Sequence, residues 1–498
     1  MIGISWIITG KKFGKTVKDS LEANKQIPLT PENSVKHLDR SIGISLMSSY
    51  FSHFLGLTLN YIVKLILARI LIPADFGLFA IASLVVTIAE IINDLGISKH
   101  LIRSETKFYG NGLMINVAMS AFLVLLIKIF SPCFSFFNPE IPNVVSVFSI
   151  ALIPKAFSAI PVAYLTKELR LKKLIFPEFI KSLSFGVFSV ALALKNFGVY
   201  SFIYAQIICS VIYAVMVWLS VHQDLKLEFT LKYSRQLISF GKYFMMLGLL
   251  GPLINYGDNG ILGAFLSSAK VGLYFMAFSI ITLPTSIIEP SFQRVLFPVF
   301  AKLADNKPEL QKVYKDSTLT IISLENLIYI ILFIYADLFV KVILGPNWVE
   351  AIPYVRIMCF MEIMNPIAIL GSTLLQSLKR ESWVFLTWIA NLVIKFSLGI
   401  ILVKSLEIYG MIAANYIGYL LSFVFALLAL MRLIRIKVFF KEYFLIYLPL
   451  ACWLSLLLPL NLKAIIDPII TIFLLIYYII LLKRFCPPYI LSLIKRRR

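Results

Sequence analysis

Negative charge and cysteine are both in short supply in this chain. Asp and Glu number 26 against 47 Lys and Arg in 498 residues, and charged residues make up 15% where hydrophobic ones make up 59%. That leaves too little polar surface to coat a soluble globule, so the composition is that of an integral membrane protein. The five cysteines include no Cys-x-x-Cys pair, and only four histidines are present. Neither a disulfide framework nor a metal centre is predicted. Alternation of apolar and polar residues over ten-residue segments is also missing, which excludes a transmembrane barrel and leaves helices as the spanning elements. Long loops on the less basic side are absent, none exceeding about a dozen residues. An enzyme of glycan assembly would carry its chemistry in such a loop, so the chain is not read as an enzyme.

Two apparent signals fall away on inspection. The string "GKKFGKT" from Gly10 to Thr16 ends like a phosphate-binding loop but has three residues between its glycines, where the loop needs four and a preceding strand. No ATP or other cofactor is predicted. The N-terminus "MIGISWIITGKK" places its charges after the apolar residues, the reverse of a cleavable signal.

Apolar runs of membrane-spanning length fall at about 46–70, 76–98, 111–132, 142–165, 174–194 and 198–220, then at about 240–264, 271–295, 318–344, 349–375, 382–403 and 408–431, with two more at about 441–461 and 464–483. The net charge of +21 sits mostly in every second connection, as in Lys99 and Arg103, Lys167 to Lys173, Lys226 to Arg235, Lys302 to Lys315, Lys379 and Arg380, and Arg432 to Lys441. This placement argues against nucleic acid and predicts a multi-pass membrane protein with those connections and both termini in the cytoplasm. The division is an N-terminal cytoplasmic segment 1–40, a first lobe 41–223, a second lobe 224–436, and 437–498 holding the last two spans and a basic tail.

The stretch from Gly56 to Arg103 returns 195 residues later: Gly56 matches Gly251, Asn60 matches Asn255, Tyr61 matches Tyr256, Gly77 matches Gly272 and Thr87 matches Thr282. Such a repeat, with an even number of spans in each copy, predicts an all-α protein of two parallel six-helix lobes. Polar residues recur inside the duplicated spans. His53, Asn60 and Lys64 share a stripe in the first span, answered by Asn255 and Asn259 in the seventh with Asp258 beside them. Thr87, Glu90 and Asp94 share one in the second, answered by Thr282, Thr285 and Glu289 in the eighth. Intramembrane charge costs about 2.5–3.5 kcal/mol at the centre of a span, and a cavity or relay is the usual reason to retain it. The bland alternative is that these groups bond across helices as glue. Lys155, Lys181 and Lys395 are further deep cations, with Glu325, Arg356 and Glu362 among the remaining candidates.

At "LARILIPADFGLFAIA", followed by "DLGISKHLIR", the chain resembles the Wzx-like polysaccharide transporter branch of the multidrug/oligosaccharidyl-lipid/polysaccharide exporter superfamily. The matching residues are Ala68, Arg69, Leu71, Pro73, Asp75, Phe76 and Gly77, then Asp94, Leu95 and Gly96. "YLTKELRLKKL" and "FGVYSFIYAQ" extend the likeness, the former departing from the family pattern at Lys167 and Leu171. The resemblance implies a V-shaped pair of lobes in the cytoplasmic membrane that flips lipid-linked oligosaccharide to the outer leaflet by alternating access, for export of surface polysaccharide. Membrane lipids and glycan polymerase or assembly proteins are its implied partners. Joined to the polar stripes, it makes Asn60, Lys64, Lys155, Lys181, Asn255, Asn259 and Lys395 candidate pyrophosphate and sugar contacts. His53, Glu90, Asp94, Asp258 and Glu289 become candidate coupling or gating groups, driven by an ion gradient or the membrane potential. The competing expectation is a multidrug or small-molecule cation antiporter of the same superfamily, against which the deep lysines weigh.

Overall fold

The computed structural model describes residues 54–103, 109–221, 231–362 and 365–434, together with 477, 478, 480 and 481. His53, the segment 1–40, the basic tail and all but four residues of the last two anticipated spans lie outside the described residues. Among the described residues, twelve long helices follow in order: α1 (54–70), α2 (Pro73–Asp94), α3 (Tyr109–Phe130), α4 (Ile141–Lys167), α5 (Lys172–Leu194), α6 (Tyr200–Val221), α7 (Leu231–Phe265), α8 (Ser268–Lys302), α9 (Lys307–Ile334), α10 (Pro346–Ser377), α11 (381–406) and α12 (408–429). No strand occurs among the described residues. Nine of the described segments are long and apolar enough to cross a membrane, and apolar side chains such as Ile62, Ile66, Leu194 and Leu219 remain exposed, as lipid-facing residues would. The chain is a multi-pass helical membrane protein.

The helix ends are written in the backbone. Leu95, Leu169, Asn196, Lys379 and Glu407 all have positive φ and stand just after α2, α4, α5, α10 and α11, the left-handed residue that closes a helix. Glu407 separates α11 from α12 within an otherwise unbroken run, and its carboxylate accepts from Lys270 Nζ at 2.5 Å, close to the start of α8. Three boundaries depart from the anticipated spans: α7 begins at Leu231 rather than about 240, α8 runs on to Lys302 rather than about 295, and α9 is shifted as a whole. Charge at Lys307, Lys312 and Lys315 suggests a loop, but Asn306 caps the segment, Pro308 fits its first turn, and α9 begins there. It ends correspondingly early. The stretch 335–351, which includes the 3-10 first turns of α10, then turns back through short irregular helices around Gly345, which has φ 103°.

The turn between α1 and α2 is the joint of the molecule. Pro73 opens α2 and Asp75 accepts from the Ile72 amide at 3.3 Å, fixing the corner. The same carboxylate rests on Gly198 at the approach to α6, where a Cβ would come within 2.9 Å of it. Phe76 packs edge-on against Phe202 of α6 and Trp348 of α10, with ring centroids 4.9 and 5.0 Å away. Trp348 Nε1 donates to Ala68 O at 2.7 Å and Arg69 Nε to Ile343 O at 2.7 Å, so the corner of the first half is tied to the 335–351 turn of the second. Here α2 and α8 cross at Gly77 and Gly272. A Cβ at Gly77 would lie 1.8 Å from Ser268 O, and one at Gly272 would lie 1.8 Å from Pro73 O. The two contacts are the same contact made in both directions, since each partner sits 195 residues from its counterpart.

Candidate functional site

Beyond that crossing, the duplicated helices lie against each other. On one side α2 meets α7, with Ile81, Leu84 and Ile91 seated on Gly263, Gly260 and Gly248. On the other, α1 meets α8. Lys64 Nζ donates to Ser279 Oγ at 3.0 Å and stands 5.0 Å from the ring centroids of Tyr61 and Phe275. Tyr61 reaches Thr282 and Ser286 of α8, while its duplicate Tyr256 on α7 lies within electrostatic range of Glu90 on α2. Lys64 and Tyr61 of the first half therefore meet Ser279 and Thr282 of the second across the seam, where in this conformation they are packed. Asn60 and its duplicate Asn255 are both exposed.

The four deep lysines, alike in sequence, have different surroundings. Lys155 of α4 is ion-paired with Glu90 of α2, both about a quarter to a third exposed at 25% and 33%. Lys395 of α11 is almost wholly buried in an ion pair with Asp258 of α7, and also donates to Ile254 O at 2.5 Å. Asp258 further accepts from Asn415 Nδ2 at 2.8 Å and from the Tyr274 hydroxyl. This is a closed network inside the second half, so Lys395 and Asp258 are occupied with each other, and neighbouring Asn259 is buried as well. Lys64 bridges the seam. Lys181 stands 4.9 Å from the ring centroid of Tyr213 and lines a cavity of about 450 Å³.

That cavity lies behind α1, between α1, α5 and α6. Gly56, Leu57 and Asn60 form one wall, Glu178, Lys181, Ser182 and Phe185 the second, and Gln206, Cys209 and Tyr213 the third. Only Asn60 and Lys181 of these were singled out from sequence. The others carry a legible signal: Glu178, Lys181, Ser182 and Phe185 share one face of α5, and Gln206, Cys209 and Tyr213 follow at helical spacing on α6.

Two acidic candidates turn inward. Asp94 Oδ1 accepts from the Ser98 amide at 3.3 Å and from its hydroxyl at 2.5 Å, so it caps the short helix Ile97–Arg103. Its side chain has a local structural use. Glu289 is buried with Glu325 and Glu362 from α9 and α10, the three lying within electrostatic range. Glu362 accepts from Asn365 Nδ2 at 3.0 Å, whereas both Glu325 carboxylate oxygens have no hydrogen-bond partner.

The family described as "polysaccharide biosynthesis protein" matches residues 66–353. Among curated proteins, the chain is 23% identical over 292 residues to the teichuronic acid biosynthesis protein TuaB of Bacillus subtilis (strain 168), covering 56% of this chain and 60% of TuaB. It is 21% identical over 322 residues to the lipopolysaccharide biosynthesis protein WzxC of Escherichia coli (strain K12), covering 62% and 64%. The chain thus spans less than two thirds of either relative. Among solved structures, the lipid II flippase MurJ in an inward closed conformation superposes with a TM-score of 0.70 at 13% identity, over 87% of this chain and 97% of that one. An inward-facing multidrug resistance MATE family transporter gives 0.61 at 16%, over 77% and 96%. At such identities the likeness is one of fold.

Proposed function

The chain belongs to the polysaccharide biosynthesis protein family, and on that premise we propose that it is a flippase carrying polyprenyl-pyrophosphate-linked oligosaccharide from the inner to the outer leaflet of the cytoplasmic membrane. The observation that carries the reading is the polar seam: Lys64, Tyr61 and Glu90 of the first half meet Ser279, Thr282 and Tyr256 of the second. Surfaces bonded only by apolar packing would not need charge there. The names and fold of the relatives agree with this use.

With the basic connections inside, the Gly77–Gly272 crossing closes the outer end in this conformation. Alternating access then parts α1 from α8 and α2 from α7 at the inner end, freeing Lys64 from Ser279 to meet the pyrophosphate. Asn60 and Asn255 are the exposed amides nearest to hand, and Lys155 and Lys181 bring further ammonium groups from the first half. Glu90 gates by exchanging its partner. Glu289, with Glu325 and Glu362, remains the candidate coupling group of the second half. Asp258 and Lys395 hold that half together, with Asn259 buried beside them. Outward movement of an anion is favoured by about 2.3 kcal/mol per charge per 100 mV of inside-negative potential, so no ATP is required. Partners are the lipid-linked oligosaccharide, surrounding lipids and the polymerase or assembly proteins that consume the product.

A null strain tests the reading. Its extracted lipids, analysed by mass spectrometry, are expected to contain an accumulated polyprenyl-pyrophosphate glycan protected from a glycosidase added outside. Altered drug tolerance without accumulation would instead support the cation antiporter.

A further inference from the structure

The cavity behind α1, with a volume of about 450 Å³, is within the range of small-ligand sites, about 300–1,000 Å³. Its charges cancel. Around Lys181 stand a second ammonium, Lys155, and two carboxylates, Glu178 and Glu90, all within electrostatic range. Lys155 is paired with Glu90, and Glu178 lies one helical turn before Lys181 on the same face of α5. The Lys181 ammonium is further held at 4.9 Å from the ring centroid of Tyr213. We infer that the cavity is a subsite for an uncharged, hydroxyl-rich sugar ring in the headgroup of the transported lipid; this rests on the flippase reading and names the class of sugar that the subsite accepts.

Every other class of occupant leaves a group unmatched. An anion, uronate or pyrophosphate, would meet Glu178 and Glu90 together with Lys181, and an amino sugar would meet Lys181 and Lys155 together with Glu178. Each brings a charge for which the walls hold no spare partner, and taking such a charge out of water is costly. A zwitterionic lipid headgroup gains little where the two opposite charges of α5 already stand a turn apart. A purely apolar guest would strip water from Asn60, Gln206 and Ser182 and return no hydrogen bond. A neutral ring answers all three, since Asn60 and Gln206 each offer an amide carbonyl and an amide N–H₂ group and Ser182 offers a hydroxyl. Leu57 and Phe185 supply apolar surface for the ring C–H groups.

Gly56 keeps the space clear. A Cβ there would come within 3.3 Å of Ser182 Oγ, so a larger side chain would fill the subsite, whereas a Cβ at the duplicated Gly251 meets nothing within 4 Å. The duplication thus supplies its own control.

The test is saturation-transfer NMR on the full chain in lipid nanodiscs, with glucose, glucuronate, glucosamine and phosphoethanolamine as probes. Glucose is expected to bind about tenfold more tightly than glucuronate or glucosamine, the effect of one unmatched charge. Removing one member of the α5 pair should shift the ranking according to the charge left behind: Lys181→Met toward glucosamine, Glu178→Gln toward glucuronate. The two substitutions together should return it to glucose, a reversal that loss of packing does not produce. Gly56→Leu should abolish glucose binding, and Gly251→Leu should retain it. Where a variant fails to fold, the ranking in the unsubstituted chain still decides. Glucuronate or glucosamine binding as tightly as glucose, undiminished binding in Gly56→Leu, or displacement of glucose by equimolar phosphoethanolamine would overturn the inference, the last marking a lipid-headgroup site. Any of these with glycan-lipid translocation intact leaves the flippase reading standing; glycan-lipid failing to accumulate in the null strain removes that reading instead.

Discussion

Lys395 and Asp258 illustrate how little a charged residue's identity says about its task. Both sit where hydrocarbon would surround them, and each neutralises the other within a network completed by Tyr274 and Asn415. Removing one member strands a buried charge, at a cost of about 3–5 kcal/mol. Lys395→Met is therefore expected to lower the unfolding temperature in detergent sharply, and Lys395→Met combined with Asp258→Asn to recover most of the loss. Lys64 should behave differently, because its partner is the Ser279 hydroxyl rather than a carboxylate. Lys64→Met is expected to leave the melting temperature nearly unchanged and to slow translocation about tenfold or more, as loss of one charge-assisted contact to the pyrophosphate would. Helical spacing could place all the deep lysines on the inward faces of their own helices. It could not say that a carboxylate arrives from another helix, Glu90 for Lys155 and Asp258 for Lys395, because that depends on packing between segments more than sixty residues apart.

The helices themselves were far more legible. In a membrane, apolar length and end residues dictate where a helix runs, and the spans anticipated for α2 to α6 lie within a few residues of those observed. The misplaced span at α9 shows the limit of hydropathy, since its first turns are charged yet helical, secured by Asn306 and Pro308. The motif Pro73 to Gly77 was readable as a corner but not as a joint. Its glycine is required by the carbonyl of Ser268, a residue of the other half. That contact is between two backbones, which cannot yield as a side chain can. Gly77→Ala and Gly272→Ala are each expected to cost about 1–3 kcal/mol of stability through overpacking, and to lower folded yield measured by size-exclusion chromatography. The two substitutions together should cost less than the sum, since the first already parts the crossing.

At the scale of the whole molecule, the proposed transport cycle requires the packed seam to open. Ile91 and Gly248 mark its far end from the glycine crossing, a Cβ at Gly248 lying 3.0 Å from Ile91 Cγ2, close enough for an engineered disulfide. In a variant lacking the five native cysteines, Ile91→Cys with Gly248→Cys is expected to stop translocation when oxidised and restore it on reduction. Full transport with the bond formed would rule out alternating access through this seam. The reciprocal contact at the opposite end has a wider meaning. Gly77 touching Ser268 and Gly272 touching Pro73 make the patch self-complementary, the signature of an isologous interface within one polypeptide. A six-helix chain of half this length, meeting a second copy of itself through the same glycine, would form both contacts at once. The present molecule has the geometry of such a parallel homodimer joined end to end, free thereafter to specialise its halves: a charge-balanced cavity in one, a sealed Lys395–Asp258 lock in the other.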